Sequence, residues 1–263
     1  MINIPEKTQT KIEKKRWLSP TSINSFIRCP RKFYYSKIAK IKQKSSIHLI
    51  RGIAVHNAIE KFYKLNLHRC SNMDYSDLRR TVIDLLKDEW RNQAKQLYDL
   101  QLKKDEIELF FQESCRMILN FLHNFLKDGG FEQPTPIIEK TIFSEKLKLL
   151  GRIDAIYKNK SPPLIIDFKT CKTMEVSEEY KRQLAIYTLL YKEQFHQHPT
   201  TGIHFLKFKD GLKLFNVSAQ RLAETKKMVS DIHNRTQSNN ISDYPCVCGW
   251  CDKNFDKKNV SNR

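Results

Sequence analysis

The chain has 263 residues, 40% hydrophobic and 11% aromatic, which excludes an intrinsically disordered protein and allows a sizeable core. Lys and Arg number 47 against 29 Asp and Glu, a formal charge of +18 that points to a polyanionic partner, nucleic acid ahead of a membrane surface. No apolar run has the length of a membrane span and no signal-peptide core is present, so a soluble, intracellular (cytoplasmic) protein is expected, and its seven cysteines suggest metal ligation, catalysis or core thiols rather than a disulfide framework.

Residues 1–17 are polar and lysine-rich and read as a flexible basic arm. Folded structure is expected from Leu18, with Ser19 capping a helix, Pro20 at its first position and Ile23, Phe26 and Ile27 as its apolar stripe. Arg31-Lys32-Phe33-Tyr34-Tyr35 mixes cations with aromatics, which suits nucleic-acid contact and equally a half-buried helix. Gly52 to Leu67 reads as a second helix on which His56 and Glu60 share a face. Tyr75 to Leu100 and Lys104 to Lys127 are longer amphipathic helices, and Gly129-Gly130 closes a helical part of about residues 18–130.

A sheet part of about residues 134–217 follows. Ile137 to Phe143 alternates as a strand. Leu149–Tyr157 and Leu164–Lys169 flank Lys158-Asn159-Lys160-Ser161-Pro162-Pro163 as a hairpin. Each arm of it carries an aspartate in an apolar run, Asp154 and Asp167. Side chains alternate along a strand, so Asp167 and Lys169 share one side and Phe168 takes the other. Glu178 to Gln194 reads as a helix, Thr201–Phe208 and Leu212–Val217 as a strand pair turning at Asp210-Gly211, and Ala219 to Asn234 as a last helix. Residues 219–251 thus hold a helix and a cysteine cluster, and residues 252–263 a basic tail. Residues 18–251 are expected to be one domain, a mixed α/β core with a helical elaboration.

Buried carboxylates need partners or cations. Hydrolysis of a phosphodiester needs a positioned water, charge relief on the nonbridging oxygens and help for the leaving oxygen, which Mg²⁺ or Mn²⁺ on oxygen ligands supplies. Asp154, Asp167 and the Phe168 carbonyl offer such oxygens, and Lys169 can orient water and offset developing charge. An Asp167–Lys169 salt bridge at a strand end is the plainer alternative.

Gly151-Arg-Ile-Asp154 followed by Ile165-Ile-Asp167-Phe-Lys169 resembles the signature of the PD-(D/E)XK nuclease superfamily. Ser19-Pro-Thr-Ser with Arg28-Cys-Pro-Arg-Lys-Phe, the helix around His56 and Glu60, Gln183-Leu-Ala-Ile-Tyr187 and the carboxy-terminal cysteines resemble its RecB-like branch, which includes the CRISPR-associated protein-four exonucleases. The resemblance runs from about Leu18 to Cys251. It implies a restriction-endonuclease-like sheet flanked by helices, with a cysteine-rich clasp. The implied activity is a metal-dependent DNA nuclease, an exonuclease on ends or single strands, in CRISPR adaptation, recombination or repair. Asp154, Asp167, His56 and the Phe168 carbonyl would hold the Mg²⁺ or Mn²⁺, Lys169 would be the catalytic lysine, and Gln183 and Tyr187 would lie beside the site and DNA. A DNA-binding adaptor without catalysis is the rival reading.

Cys246, Cys248 and Cys251 form a compact thiol cluster, and thiolates select iron–sulfur centres or zinc. Cys29 is the distant ligand that the resemblance implies. The family's usual last cysteine would fall near Lys257, and Cys246 takes its place from the other side. A [4Fe–4S] cluster on Cys29, Cys246, Cys248 and Cys251 is the expectation, with zinc as the alternative. Cys70, Cys115 and Cys171 have no partner spacing and read as core thiols.

Overall fold

The structure, a computed structural model, describes residues 16–41, 45–249 and 251. Most of the expected basic arm and the basic tail lie outside the described residues. Ser19 accepts from the Ser22 amide and starts helix α1, Pro20–Arg28. Cys29 ends α1 in an extended conformation and begins the one-turn α2, Pro30–Phe33, which passes into a π-helical turn over Tyr34–Ile38. A serine cap again opens α3, Ile47–Lys64, where the Ser46 side chain accepts from the Leu49 amide. Such caps contribute about 1 kcal/mol each. The helix therefore starts one and a half turns before the expected Gly52, because the cap at Ser46 satisfies amides that Gly52 has no side chain to serve.

After the short α4, Leu67–Cys70, the expected long helix divides into α5, Tyr75–Asn92, and α6, Ala94–Asp99, at Gln93, which is buried in the joint. Helix α7, Lys104–Lys127, has the expected bounds. Strands β1 (Ile137–Ser144), β2 (Leu149–Tyr157) and β3 (Leu164–Lys169) follow, then α8 (Glu178–Phe195), β4 (Thr200–Phe205), β5 (Leu212–Phe215) and α9 (Ala219–Arg235).

The five strands form one mixed sheet in chain order, antiparallel except for the parallel β3–β4 pair that the α8 crossover allows. Apolar side chains cover both faces. On one, Ile153, Ile156 and Ile165 pack with Tyr187 and Leu190 of α8 and with residues of α1 and α9. On the other, Ala155, Ile166 and Phe168 pack with α3, α5 and α7 through Val55, Phe62, Val82, Met117 and Phe121. The sheet is thus the middle layer between two helical layers. Among the described residues no helix is long and apolar enough to cross a membrane.

Candidate active site

The site lies where the sheet forks. Strands β2 and β3 pair at Tyr157–Leu164, Ile156–Ile165 and Ala155–Ile166, and the pairing stops there. Beyond it β2 stays with β1, while Asp167, Phe168 and Lys169 stay with β4. Asp154 and Asp167 are the first residues past the last β2–β3 pair, so the two aspartates face each other across the opening. The Phe168 amide donates to Asp154 Oδ2 at 2.7 Å, a side-chain bond in place of the missing ladder.

Helices bring the remaining groups from both layers. From α3, His56 Nδ1 stands 3.6 Å from Asp154 Oδ2 and 3.9 Å from Glu139 Oε1. From α8, Gln183 donates through Nε2 to Asp167 Oδ1 at 2.7 Å and to the Tyr187 hydroxyl at 2.8 Å, and accepts from Lys169 Nζ at 3.0 Å. Tyr187 donates in turn to the Arg152 carbonyl at 2.8 Å. Its ring lies so close to β2 that a Cβ on Gly151 would meet it at 3.0 Å, hence glycine there. Every polar atom of the Gln183 amide is engaged, which fixes both Asp167 and Lys169.

Lys169 Nζ sits 2.7 Å from Asp167 Oδ2, yet that oxygen, fully buried, has no hydrogen bond of acceptable geometry among the described residues. The ion pair that the plainer reading foresaw is present, and it leaves Oδ2 lone pairs free. Burial pushes the Asp167 carboxyl up to about 6; Lys169 opposes this and the Asp154 charge adds to it. Burial also disfavours the Asp154 anion, but His56 and the Phe168 amide outweigh it and hold its carboxyl below the usual range. Burial pulls the His56 imidazole down, while Asp154, Glu139 and Asp167 together raise it to about 10. Acids gathered in one pocket in this way are stabilised by positive charge, and the orphaned oxygen and the hard donor set fit a divalent cation.

One acid is absent from the sequence-derived set. Among the described residues, His56, Glu139 and Asp154 have ligand atoms all within 4.8 Å of one another, with Asp167 outside that group on the far side of the fork. Glu139 stands opposite Asp154 in the β1–β2 register, between the pairs Ile138–Ala155 and Lys140–Ile153. Its φ is 51°, the left-handed region, unusual for a glutamate inside a strand. That twist breaks the alternation from which its direction would be read, and such strain collects at functional sites. Arg152 Nε lies 2.5 Å from Glu139 Oε2 and partners its charge.

Next to Lys169 the surface continues as a pocket lined by His48, Arg51, Thr170, Lys172 and Tyr180. Buried Arg51 donates to the Thr170 carbonyl at 2.8 Å and to Glu113 at 2.7 Å, which ties α3 to the end of β3 and to α7. Lys172 is exposed and has no ion-pair partner among the described residues.

At the end of α1 the four sequence-predicted cysteines come together, their sulfurs within 4.8 Å of one another. Cys29, Cys246, Cys248 and Cys251 form no disulfide, and burial and the neighbouring sulfurs push the Cys251 thiol far above its ordinary value. Such a group suits a metal that takes thiolates. The tail is fixed beside α2 by Arg31 Nε donating to the Tyr244 carbonyl at 2.6 Å and by Tyr244 stacked on Phe33.

A mixed sheet forked around buried acids, a lysine and a glutamine, with helices on both faces, defines an α/β nuclease fold. The chain belongs to the PD-(D/E)XK nuclease superfamily, whose family model matches residues 17–253. Members of that superfamily generally use divalent metals. The chain is 25% identical to the human DNA replication ATP-dependent helicase/nuclease DNA2, over 78% of this chain and 21% of the relative, and equally to the Bos taurus protein of that name. It therefore spans about a fifth of the length of these curated relatives. A solved structure from Eubacterium rectale named "Putative exonuclease" shares the fold with a TM-score of 0.58 and 12% identity, covering 97% of this chain and 94% of that one.

Proposed function

We propose that the chain is a divalent-metal-dependent deoxyribonuclease that hydrolyses DNA at ends or in single strands, in recombination, repair or CRISPR adaptation. The observation that carries this reading is the fork: Asp154, Asp167, Glu139 and His56 converge from β2, β3, β1 and α3 with Lys169 at their edge. Mg²⁺ or Mn²⁺ bound there would supply Lewis acidity toward the phosphoryl oxygens and a more acidic water. Asp154, Glu139 and His56 would hold it, with Asp167 Oδ2 and the Phe168 carbonyl as further oxygens. His56 would bind as the neutral imidazole, a form that its acidic neighbours oppose while the ion is absent. Lys169, at the edge of the acids, would orient the attacking water and offset charge developing on the phosphoryl group. Gln183 holds that lysine, and Tyr187 holds Gln183. The excess of basic residues and the pocket at His48, Arg51 and Lys172 suit the phosphates of the bound strand.

Residues 18–251 act in this reading as one nuclease unit, with the cysteine site as its clasp. The test is digestion of end-labelled single-stranded DNA with Mg²⁺ or Mn²⁺ by the parent, Lys169→Ala and Asp154→Ala. The parent cuts, and each variant loses about 10²-fold or more in kcat. Binding without turnover by the parent, or equal cutting by the variants, refutes the reading; the former outcome is that of the adaptor.

A further inference from the structure

We infer that Cys29, Cys246, Cys248 and Cys251 hold one zinc ion, and not the four-iron cluster that the family resemblance implies. The sulfurs form a tight chain in space. Cys246 and Cys248 are 3.9 Å apart, Cys248 and Cys251 3.3 Å, and Cys251 and Cys29 3.8 Å. Four sulfurs around a single zinc at Zn–S lengths of about 2.3 Å form a tetrahedron with edges of roughly 3.8 Å. That is the observed scale. In a [4Fe–4S] cluster each cysteine binds its own iron, and four irons and four sulfides lie between the cysteine sulfurs, which must stand farther apart. With all ligand atoms inside 4.8 Å there is no room for that core.

The chain around the sulfurs gives the same answer. Cys248-Gly249-Trp250-Cys251 has the two-residue spacing common in zinc sites, and Gly249 takes a φ of 64°, the left-handed region that glycine adopts without strain. Where the family has its last cysteine this chain has Lys257, and the fourth sulfur comes from Cys246, two residues before Cys248 on the same short loop. Two ligands so close in sequence suit one shared ion. Cys29 and Cys251 are fully buried in the core beside Phe33 and Tyr244, so widening the group would mean opening that packing.

The full chain, purified anaerobically from cells given both iron and zinc, is analysed for metal and acid-labile sulfide and by visible absorption. The expected result is one zinc per chain, no sulfide and no brown colour. About four irons with sulfide, a single iron, or no bound metal at all overturns the inference. Cys29→Ser risks the fold, so the ligand test uses half-exposed Cys246, with Cys115→Ser as control. Cys246→Ser is expected to lose zinc to a chelator at least tenfold more readily than the parent, while Cys115→Ser matches it; equal retention by Cys246→Ser refutes the four-sulfur site. None of these measurements depends on cleavage.

Discussion

His204, on β4 and paired with Phe168 of β3, gives a quantitative test of the packing under the candidate site. Its ring centroid lies 5.8 Å from that of Phe168, whose amide holds Asp154, and it borders a cavity of about 290 Å³ between α7 and the sheet. Asn124 Nδ2 meets His204 Nε2 at 2.9 Å, so the amide donates to a neutral ring. Burial pulls the imidazole down to about 4 from an ordinary 6.5. The folded state therefore binds less proton than the unfolded one between these values, and stability falls as pH falls through that window. At 1.36 kcal/mol per unit, the His204 contribution is complete above about pH 7 and loses about 2 kcal/mol by pH 5. His204→Gln keeps an acceptor for Asn124 and has no proton to gain. Urea unfolding of both proteins at pH 7.5, 6 and 5 should show the parent losing about 2 kcal/mol more than the variant. Parallel curves would refute the claim that this histidine is buried and neutral.

Three other changes probe the site itself. Glu139→Gln should raise the Mn²⁺ concentration for half-maximal cleavage by at least tenfold, measured by metal titration of the cutting assay; an unchanged titration removes Glu139 from the metal site. Tyr187→Phe loses the bonds to the Arg152 carbonyl and Gln183, so thermal unfolding should show a loss of about 1 kcal/mol with a fall in kcat larger than any rise in KM. Lys172→Ala should lower the salt slope of single-stranded DNA binding, measured in EDTA, by about 0.7, the share of one phosphate contact; Lys87→Ala, paired to Asp84 on α5, should leave it unchanged.

Much of this site could be read from residue order, for physical reasons that differ by residue. Asp154, Asp167, Phe168 and Lys169 were legible because strand alternation and apolar neighbours leave few ways to dispose of a carboxylate. Gln183 and Tyr187 share a helix face, and the structure joins them by a 2.8 Å bond. His56 carries no such local signal; only the resemblance brought it in, and α3 delivers it from the opposite layer. Glu139 escaped because its left-handed φ sends its side chain where no strand period would place it. The break at Gln93 was equally hidden, since neither Gly nor Pro marks it and packing of α6 against α3 and α5 decides it.

The fork explains how the sheet can bury so much acid at all. A continuous β2–β3 ladder would have used the backbone groups of residues 167–169 and closed the space between the aspartates. Ending the ladder at Ala155–Ile166 frees the Phe168 amide for Asp154 and opens a gap that α3, α8 and Glu139 of β1 line. The two apolar layers keep the gap from widening, since Phe168 is anchored in one core and Ile165 and Tyr187 in the other. The fold carries about 1–3 kcal/mol of backbone strain at Glu139, together with a carboxylate at Asp167 whose ionisation burial resists. A cation at the fork would relieve the charge and leave the strain. The two costs therefore separate experimentally: Mg²⁺ should stabilise the parent chain but not Asp154→Asn, and Glu139→Gly should stabilise the metal-free chain while weakening that metal effect.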